Sequence, residues 1–192
     1  KKIDKNVNIN NASIDSRLTK KNNIFFGIKG KNFDGNKFVR QAFNNGASIS
    51  INQNKKKIKF KNDIYVNNSL KTFSEIAKLI RVSSNVSSIA ITGSSGKTSL
   101  KEMLGQMMNK IYQTSYSKKS FNNKYGVPIS LFNLKQNDKI GIFEVGMDKK
   151  GEIDFLTRKI MPDVGIITNI SYAHIKNFNS LKGVANAKSE LI

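Results

Sequence analysis

The sequence contains no cysteine, so neither a disulfide framework nor a thiolate zinc site is possible in this chain. It also lacks any run approaching the roughly 18 to 20 consecutive apolar residues that a membrane helix needs. A charged segment followed by an apolar one, typical of a secretion signal, is not visible at the N-terminus. These absences together favour a cytoplasmic protein that does not insert into a membrane.

Acidic residues are few, with 13 Asp and Glu against 33 Lys and Arg, and the net charge is +20. Such an excess favours anionic partners such as nucleic acid, an anionic membrane or phosphorylated small molecules. The excess is mostly scattered lysine accompanied by Asn and Ile, a mixture that AT-rich codons also produce. The densest run, "NKKKIKF" at 54–60, is typical of a hairpin tip or a solvated edge. Because no basic helix and no aromatic RNA-binding signature is present, we expect a phosphorylated small molecule rather than nucleic acid.

The first part of the chain has the pattern of a small α/β unit. Its predicted elements are strands at 24–28, 48–51 and 64–66, and helices at 35–46 and 70–80. Gly46 suits the C-terminal end of the first helix. The polar stretch "SSNVSS" at 83–88 then resembles a joint. We therefore predict an N-terminal α/β domain over residues 1–86.

From residue 89 the pattern alternates between strand and helix. The predicted strands lie at 89–92, 113–117, 140–146 and 164–170. Helices are predicted from about Lys97, at 127–134, around Ile153 to Ile160 with a stop before Pro162, and in "SLKGVANAKSELI" at 180–192. The apolar runs "IGIFEVG" and "VGIITNI" are typical of buried strands in a parallel sheet. This alternation predicts a mainly parallel sheet with covering helices over residues 87–192, which we expect to be an incomplete domain.

The stretch "IAITGSSGKTSLKEML" at 89–104 resembles a phosphate-binding loop, although the usual Walker spacing would require glycine where Ile91 stands. Gly93 and Gly96 allow a tight turn, and the helix that follows offers its positive dipole end to an anion. Lys97 can reach the β- and γ-phosphates, and Thr98 can supply a hydroxyl to Mg²⁺. The alternative is an ordinary glycine turn with a chance GKT. We predict that this loop binds phosphate, and the resemblance described below implies that ATP contacts Thr92, Gly93, Ser94, Ser95, Gly96, Lys97 and Thr98.

Two further residues stand at the carboxyl ends of predicted strands, where open α/β sheets bind their ligands. Glu144 ends the run "IGIFEVG", and its carboxylate could hold Mg²⁺ directly or through water. His174, the single histidine, follows "TNISYA". The alternatives are a surface carboxylate and a structural histidine. Because both positions share the sheet edge of the glycine loop, we expect both residues to function there.

Four segments together resemble one family: "TGSSGKTSLKEML", "NNKYGVPISL", "FEVGMDKKGEIDFLTRKIMPDVGIITNISYAH" and "SLKGVANAKSELI". They are similar to the ATP-dependent Mur ligases of peptidoglycan synthesis, whose shorter TGxxGKT loop accounts for Ile91. The N-terminal segment "IDSRLTKKNNIFFGIKGKNFDGNKFVRQAFNNGAS" resembles the branch of the family that adds D-alanyl-D-alanine. The resemblance extends over nearly the whole chain.

The resemblance implies roles for individual residues. The implied catalytic residues are Lys97, Glu144, His174 and Lys188, and the implied Mg²⁺ ligands are Thr98, Glu144, His174 and, once carbamylated, Lys188. Asn169 would belong to the nucleotide side, Asn122 and Asn123 would contact the sugar–peptide part of the substrate, and Ser16 and Arg17 would receive its UDP moiety. Alternatively, Lys188 is a solvated helix lysine, and Ser16 and Arg17 belong to a turn with an exposed arginine.

Two segments depart from the family pattern. "FEVGMDKKGEI" replaces the commoner "EMGANHPGEI", so a second histidine is absent, and "KNN" at 21–23 replaces the usual glycine–aspartate. Neither change affects the implied phosphate or metal ligands. Both changes bear on the choice of branch within the family.

The resemblance implies that ATP and Mg²⁺ drive formation of an amide bond. The γ-phosphoryl group would pass to the carboxylate of UDP-MurNAc-tripeptide, and the amine of D-alanyl-D-alanine would attack the acyl phosphate. Mur ligases have three domains and more than twice this length. We therefore expect that this chain is clipped at its start, lacks the C-terminal ligase domain and is inactive alone. We also expect it to be a monomer.

Three other functions stay open. One is a Mur-type ligase that adds diaminopimelate or lysine instead of D-alanyl-D-alanine. Another is a folylpolyglutamate synthase, against which the "DSR…FDG" and "NNKYGVP" segments argue. The third is a basic module that binds nucleic acid, whose affinity would fall steeply with salt.

Overall fold

The computed structural model describes residues 7–55, 60–173 and 175–192, and its fold is α/β with parallel sheets, as predicted. The chain divides into two compact units between Glu75 and Ile76, inside helix α2 (Ser69–Ser83). The functional domain boundary between residues 86 and 87 stays a prediction. In the parts of the chain that the structure describes, no helix combines the length and apolar character needed to cross a bilayer.

The first unit contains a four-stranded parallel sheet in the order β1-β2-β3-β4. Its strands are β1 (Asn11–Ser13), β2 (Asn23–Phe26), β3 (Ala47–Asn52) and β4 (Asp63–Tyr65). A 3₁₀ turn (Gly35–Phe38) leads into helix α1 (Val39–Asn44). A small apolar core of Phe25, Val39, Ala42 and Ala47 joins the helix to the sheet. Gly46 follows the helix at φ +103°, a conformation that favours glycine, as predicted.

The sequence predicts either a hairpin tip or a solvated edge for the Lys-rich run at 54–60, which lies between β3 and β4. The two strands are parallel, with Ser50 opposite Asp63. A hairpin joins antiparallel strands, so the hairpin tip predicted at 54–60 is wrong, while residues 56–59 lie outside the described residues. Buried Asp63 accepts hydrogen bonds from the side chains of Ser50 and Asn52, which ties β4 to β3.

The second unit contains a parallel sheet in the order β6-β7-β5-β8. Its strands are β5 (Ser87–Thr92), β6 (Thr114–Tyr116), β7 (Ile140–Glu144) and β8 (Val164–Ile167). Its helices are α3 (Lys97–Met108), α4 (Gly126–Phe132), α5 (Glu152–Ile160) and α6 (Leu181–Lys188). The apolar strand β7 is central and buried, as predicted.

Strand β8 is less buried than its sequence predicts. Val164 is 50% exposed, and Ile166 and Ile167 are only partly buried. Among the strands that the structure describes, β8 pairs with β5 alone and therefore forms an edge of the sheet. The prediction of a buried strand is wrong here because an apolar run does not reveal how many neighbours the strand has.

Buried Arg81, near the end of α2, fixes the turn that follows α5. Its guanidinium donates to the carbonyls of Ile160 (2.8 Å) and Met161 (3.1 Å) and to the hydroxyl of Ser88 (2.7 Å). Met161 has φ +48°, and Pro162 follows it, so α5 ends where the sequence predicts. The arginine thus supplies donors to carbonyls that a helix end leaves without partners.

Candidate functional site

The loop between β5 and α3 is shaped by two glycines in the left-handed region. Gly93 has φ +148° and Gly96 has φ +77°. A Cβ at Gly93 would lie 1.8 Å from Oγ1 of Thr168, whereas a Cβ at Gly96 would meet nothing within 4 Å. Gly96 precedes the first residue of α3, whose first-turn N–H groups have no acceptor within the helix. The first turn of α3 therefore presents backbone donors suited to an anion.

The segment after β8 supports this loop. The Thr168 hydroxyl donates to the Ser95 carbonyl (2.6 Å), and Asn169 Oδ1 accepts from the N–H groups of Ser94 (3.2 Å) and Ser95 (3.0 Å). The Asn169 amide also donates to Ser95 Oγ (2.8 Å). Asn169 therefore contacts the loop directly, while its predicted contact with the nucleotide stays a prediction.

Lys97 folds back over the same loop. Its ammonium donates to the Gly93 carbonyl at 2.7 Å. The interaction holds the positive charge within a few ångströms of the loop, where a phosphate would be cradled. The ammonium has three N–H donors, so a phosphate oxygen, which is a stronger acceptor, can bind to it beside this carbonyl or in its place.

Glu144 lies directly beside the start of α3. The Thr98 hydroxyl donates to Glu144 Oε2 at 2.7 Å, and the Asn122 amide donates to Glu144 Oε1 at 2.8 Å. The residue is only 1% exposed, so both carboxylate oxygens are held in place by protein donors. The sequence predicted Thr98 and Glu144 for one site, but it gave no signal that Asn122 contacts this carboxylate.

The side-chain oxygens near the loop are of the kind that binds Mg²⁺. A hydroxyl and a carboxylate oxygen, from Thr98 and Glu144, are the hard ligands that this ion prefers. The buried hydroxyl of Thr92, at the end of β5, has no hydrogen-bond partner among the described residues. The described parts of the chain hold no cluster of three or more His, Cys, Asp or Glu. His174 lies outside the described residues.

A cavity of about 680 Å³ opens beside the loop, and lysines dominate its polar lining. The lining includes Lys97, Asn122, Lys124, Lys149, Lys150 and Lys188. Lys188 is 2% exposed, so the alternative of a solvated helix lysine is wrong. Burial, and secondarily the positive charge of Lys97, lowers the pKa of the Lys188 amine to about 8. The cavity is thus suited to anionic groups.

Asn123 has a local structural partner. Its Oδ1 accepts from the N–H groups of Tyr125 and Gly126, both at 3.0 Å, at the beginning of α4. The residue also lines the cavity. A contact of Asn123 with substrate stays a prediction, and the geometry accounts for the residue equally as a turn former.

Ser16 and Arg17 lie in the first unit, beside a separate cavity of about 530 Å³. Buried Ser16 donates to Gln41 Oε1 (2.7 Å), and Arg17 pairs with Asp15 (2.6 Å) while its side chain stays 79% exposed. The hydrogen bond from Arg17 lowers the pKa of Asp15. This pairing is what a turn with an exposed arginine requires, and binding of UDP stays a prediction.

Two charged residues near the site were missed in the sequence. Lys101, in α3, is fully buried and donates to the Lys119 carbonyl (2.6 Å). Glu190 accepts from the N–H groups of Gly151 (2.8 Å) and Asp154 (3.2 Å), which caps α5 from the segment that follows Lys188. The signal for Lys101 was its spacing of one helical turn from Lys97. The sequence contains no local signal for the role of Glu190, because its hydrogen-bond partners are distant in the chain.

Comparisons with known proteins agree with this geometry. The family profile "Mur ligase middle domain" matches residues 91–192, and the profile "Mur ligase family, catalytic domain" matches residues 8–112. The UDP-N-acetylmuramoyl-tripeptide–D-alanyl-D-alanine ligase of Haemophilus influenzae is 32% identical over 98% of this chain and 42% of that protein. The Bacillus subtilis enzyme of the same name is 33% identical over 96% of this chain and 41% of that protein.

Solved structures give the same result. MurF from Acinetobacter baumannii matches with a TM-score of 0.86 and 32% identity, over 95% of this chain and 40% of that chain. MurF from Thermotoga maritima in complex with ADP matches with a TM-score of 0.86 and 27% identity, over 98% and 44%. The chain thus spans about 40% of the length of the curated relatives it matches. The family predicted from the sequence motifs is confirmed, because each profile matches more than half of the sequence and the chain therefore belongs to the Mur ligase family.

Proposed function

We propose that the protein carrying this chain is an ATP-dependent ligase that adds D-alanyl-D-alanine to UDP-MurNAc-tripeptide in peptidoglycan synthesis. The names of its relatives support the substrates, and the MurF–ADP complex supports the nucleotide. The observation that carries the proposal is the contact between Thr98, in the phosphate loop, and Glu144, at the end of the central strand. This contact joins a phosphate-binding element to a metal-binding carboxylate.

The reaction consists of two displacements. A carboxylate oxygen of the tripeptide attacks the γ-phosphorus of ATP, the bond to the β-phosphate oxygen breaks, and ADP leaves. The amine nitrogen of D-alanyl-D-alanine then attacks the acyl carbon, inorganic phosphate leaves, and the nitrogen loses a proton. Both steps bring groups together in fixed positions, which is where most of the rate enhancement arises.

Lys97 and the backbone donors of the loop would hold the phosphates and reduce repulsion between the two anions. Thr98 and Glu144, with His174 and carbamylated Lys188, would hold Mg²⁺. The bound ion would supply positive charge that reduces the repulsion between the two anionic reactants. Asn122 would keep the Glu144 carboxylate oriented toward the loop.

Carbamylation of Lys188 is supported by its surroundings. The amine is buried near the positive charge of Lys97, and both effects disfavour the ammonium form. Addition of CO₂ to the neutral amine would turn a disfavoured cation into an anion able to bind Mg²⁺. The modification would thus remove repulsion from Lys97.

We assign each substrate to the domain that the resemblance to the family implies. Residues 1–86 would form the domain that receives UDP, with Ser16 and Arg17 at the cavity of the first unit. Residues 87–192 would bind ATP, with Asn169 on the nucleotide side and Asn122 and Asn123 facing the sugar–peptide portion. We further propose that the protein is cytoplasmic, since its reaction uses the nucleotide pool of the cell. We also propose that it is a monomer that neither inserts into membranes nor binds nucleic acid.

The test is phosphate release by the full-length protein in the presence of ATP, Mg²⁺, UDP-MurNAc-tripeptide and D-alanyl-D-alanine. We expect release only when both substrates are present, and loss of activity in Lys97→Ala but not in a control, Lys110→Ala, that changes an exposed lysine beyond α3. Release without dependence on the dipeptide would refute the proposal. The 192-residue chain alone should show no turnover, and robust turnover would refute the expectation that it is inactive.

Two alternatives are separated by the same protein. A ligase adding diaminopimelate or lysine would accept those amines, with UDP-MurNAc-dipeptide, in place of D-alanyl-D-alanine. A nucleic-acid module, which the net charge of +20 alone favours, would bind DNA or RNA with an affinity that falls steeply with salt. Nucleotide binding should instead depend on Lys97.

A further inference from the structure

Lys101 is a buried charge for which the proposed reaction has no use. Its side chain is fully buried in α3, one turn beyond the phosphate loop. The ammonium donates to the Lys119 carbonyl at 2.6 Å and lies 3.0 Å from Glu102 Oε1. An apolar side chain would fill the same volume without the desolvation that burial of a cation requires. The directed bond to Lys119 is therefore the feature that calls for a function.

Lys119 belongs to the tight turn between β6 and α4. The residue has φ +51°, and the turn is closed by hydrogen bonds from Phe121 N to Lys118 O (3.3 Å) and from Asn122 N to Ser120 O (2.9 Å). A carbonyl fixed at Lys119 therefore fixes the path of the backbone up to Asn122.

Asn122 connects this turn to the candidate metal site. Its carbonyl accepts from Gly146 N (2.7 Å), and its side-chain amide donates to Glu144 Oε1 (2.8 Å). The other oxygen of Glu144 accepts from Thr98, which lies one helical turn before Lys101 on α3. The contacts thus form a closed circuit that leaves α3 at Lys101 and returns to it at Thr98.

We propose that Lys101 is a positioning residue that orients the Glu144 carboxylate through the turn 119–122. The inference rests on the proposed function, because it assumes that Glu144 serves a nucleotide-bound Mg²⁺. Among the described residues, the ammonium of Lys101 bonds to Lys119 and Glu102 rather than to Glu144 or the loop, so its effect on Glu144 passes through Asn122. Its role differs from that of a space-filling core residue, since it depends on a hydrogen-bond donor at the end of the side chain.

The experiment measures ATP affinity of the full-length protein as a function of Mg²⁺ concentration. Lys101→Met removes the donor and keeps the length of the side chain, Lys101→Arg keeps a donor, and Lys110→Met is the matched control on an exposed lysine. Without Mg²⁺, we expect Lys101→Met to bind ATP with the affinity of the wild-type protein. We expect the variant to need about 10-fold more Mg²⁺ to reach the same increase in ATP affinity, which is the size typical of losing a residue that orients a metal ligand. Lys101→Arg should recover part of the loss, and Lys110→Met should show none.

A double-mutant cycle tests whether Lys101 acts through Asn122. In an Asn122→Ala background, Lys101→Met should add no further increase in the Mg²⁺ requirement. Additive losses, or an unchanged Mg²⁺ requirement in Lys101→Met, would overturn the inference. Where Lys101→Met does not give a folded protein by circular dichroism, Lys101→Gln, with a shorter donor that cannot reach as far, is judged by the same criteria.

The outcomes also separate this inference from the proposed function. An unchanged protein that binds no ATP at any Mg²⁺ concentration would overturn both. If the wild-type protein binds Mg²⁺–ATP and the Lys101→Met variant has the same Mg²⁺ requirement, only the role of Lys101 is overturned.

Discussion

The Thr98 hydroxyl donates a 2.7 Å hydrogen bond to Glu144 Oε2, although the two residues lie 46 positions apart. Thr98 follows the phosphate loop, and Glu144 ends the strand that neighbours β5 in the sheet. The parallel pairing of β5 with β7 brings the two carboxyl ends together, so the contact is a direct consequence of topology.

Glu144→Gln should weaken Mg²⁺-dependent ATP binding by at least about 10-fold while leaving Mg²⁺-free binding unchanged. The amide keeps the size of the side chain and an oxygen that can accept from Thr98, but it removes the negative charge that attracts the ion. Isothermal titration calorimetry with and without Mg²⁺ measures the difference. Asp154→Asn, on an exposed ion pair of α5, is the control and should behave as the unchanged protein. Equal losses in both variants would contradict the assignment.

Gly93→Ala should destabilise the protein more than Gly96→Ala. Both substitutions place a Cβ in the left-handed region, at a cost of about 1–2 kcal/mol each. Only at Gly93 would the Cβ collide with Thr168, and overpacking adds about 1–3 kcal/mol there. Urea unfolding of the two variants gives the comparison, and similar midpoints would show that Thr168 moves aside at little cost.

Arg81→Met should lower the free energy of unfolding by about 1–3 kcal/mol, because it removes the donor to the Ile160 carbonyl and one of the two donors to the Met161 carbonyl. Arg158→Met is the matched control. Arg158 pairs with Asp154 on the exposed face of α5, where solvent screens the interaction, so its loss should be too small to measure. Thermal unfolding would argue against the assignment if the two variants lost the same stability.

Lys188→Met should stabilise the chain at neutral pH and lose this advantage at alkaline pH. Burial lowers the pKa of the folded-state amine to about 8, below its unfolded value near 10.5. Below pH 8 both states are protonated, and the cost of the buried cation is fully present. Between pH 8 and 10.5 the unfolded state binds more protons, so the stability of the unchanged chain rises with pH.

The measurement for Lys188 is urea unfolding of both chains between pH 6 and pH 10, in CO₂-free buffer to prevent carbamylation. The difference in stability should shrink steadily above pH 8. A constant difference across this range would show that the amine is not the titrating group, and the same substitution at exposed Lys182 should give no pH-dependent difference.

Local patterns in the sequence determined much of the fold. The alternation of apolar strands and amphipathic helices predicted the parallel sheet of the second unit, because strand and helix periodicities are set by a few neighbouring residues. Glycine spacing around Lys97 predicted the loop between β5 and α3, and Pro162 predicted the end of α5, since both depend on backbone conformations that few residues permit.

Only the tertiary structure decided which strands are neighbours and which distant groups meet. The parallel pairing of β3 with β4 and the exposed edge at β8 depend on long-range pairing that no local window contains. The burial of Lys101 and the bond between Asn122 and Glu144 likewise arise from turns brought together across the sheet. The sequence by itself determined that a glycine loop joins β5 to α3, because its residues are contiguous. The tertiary structure decided what surrounds that loop, because those contacts join residues far apart in the chain.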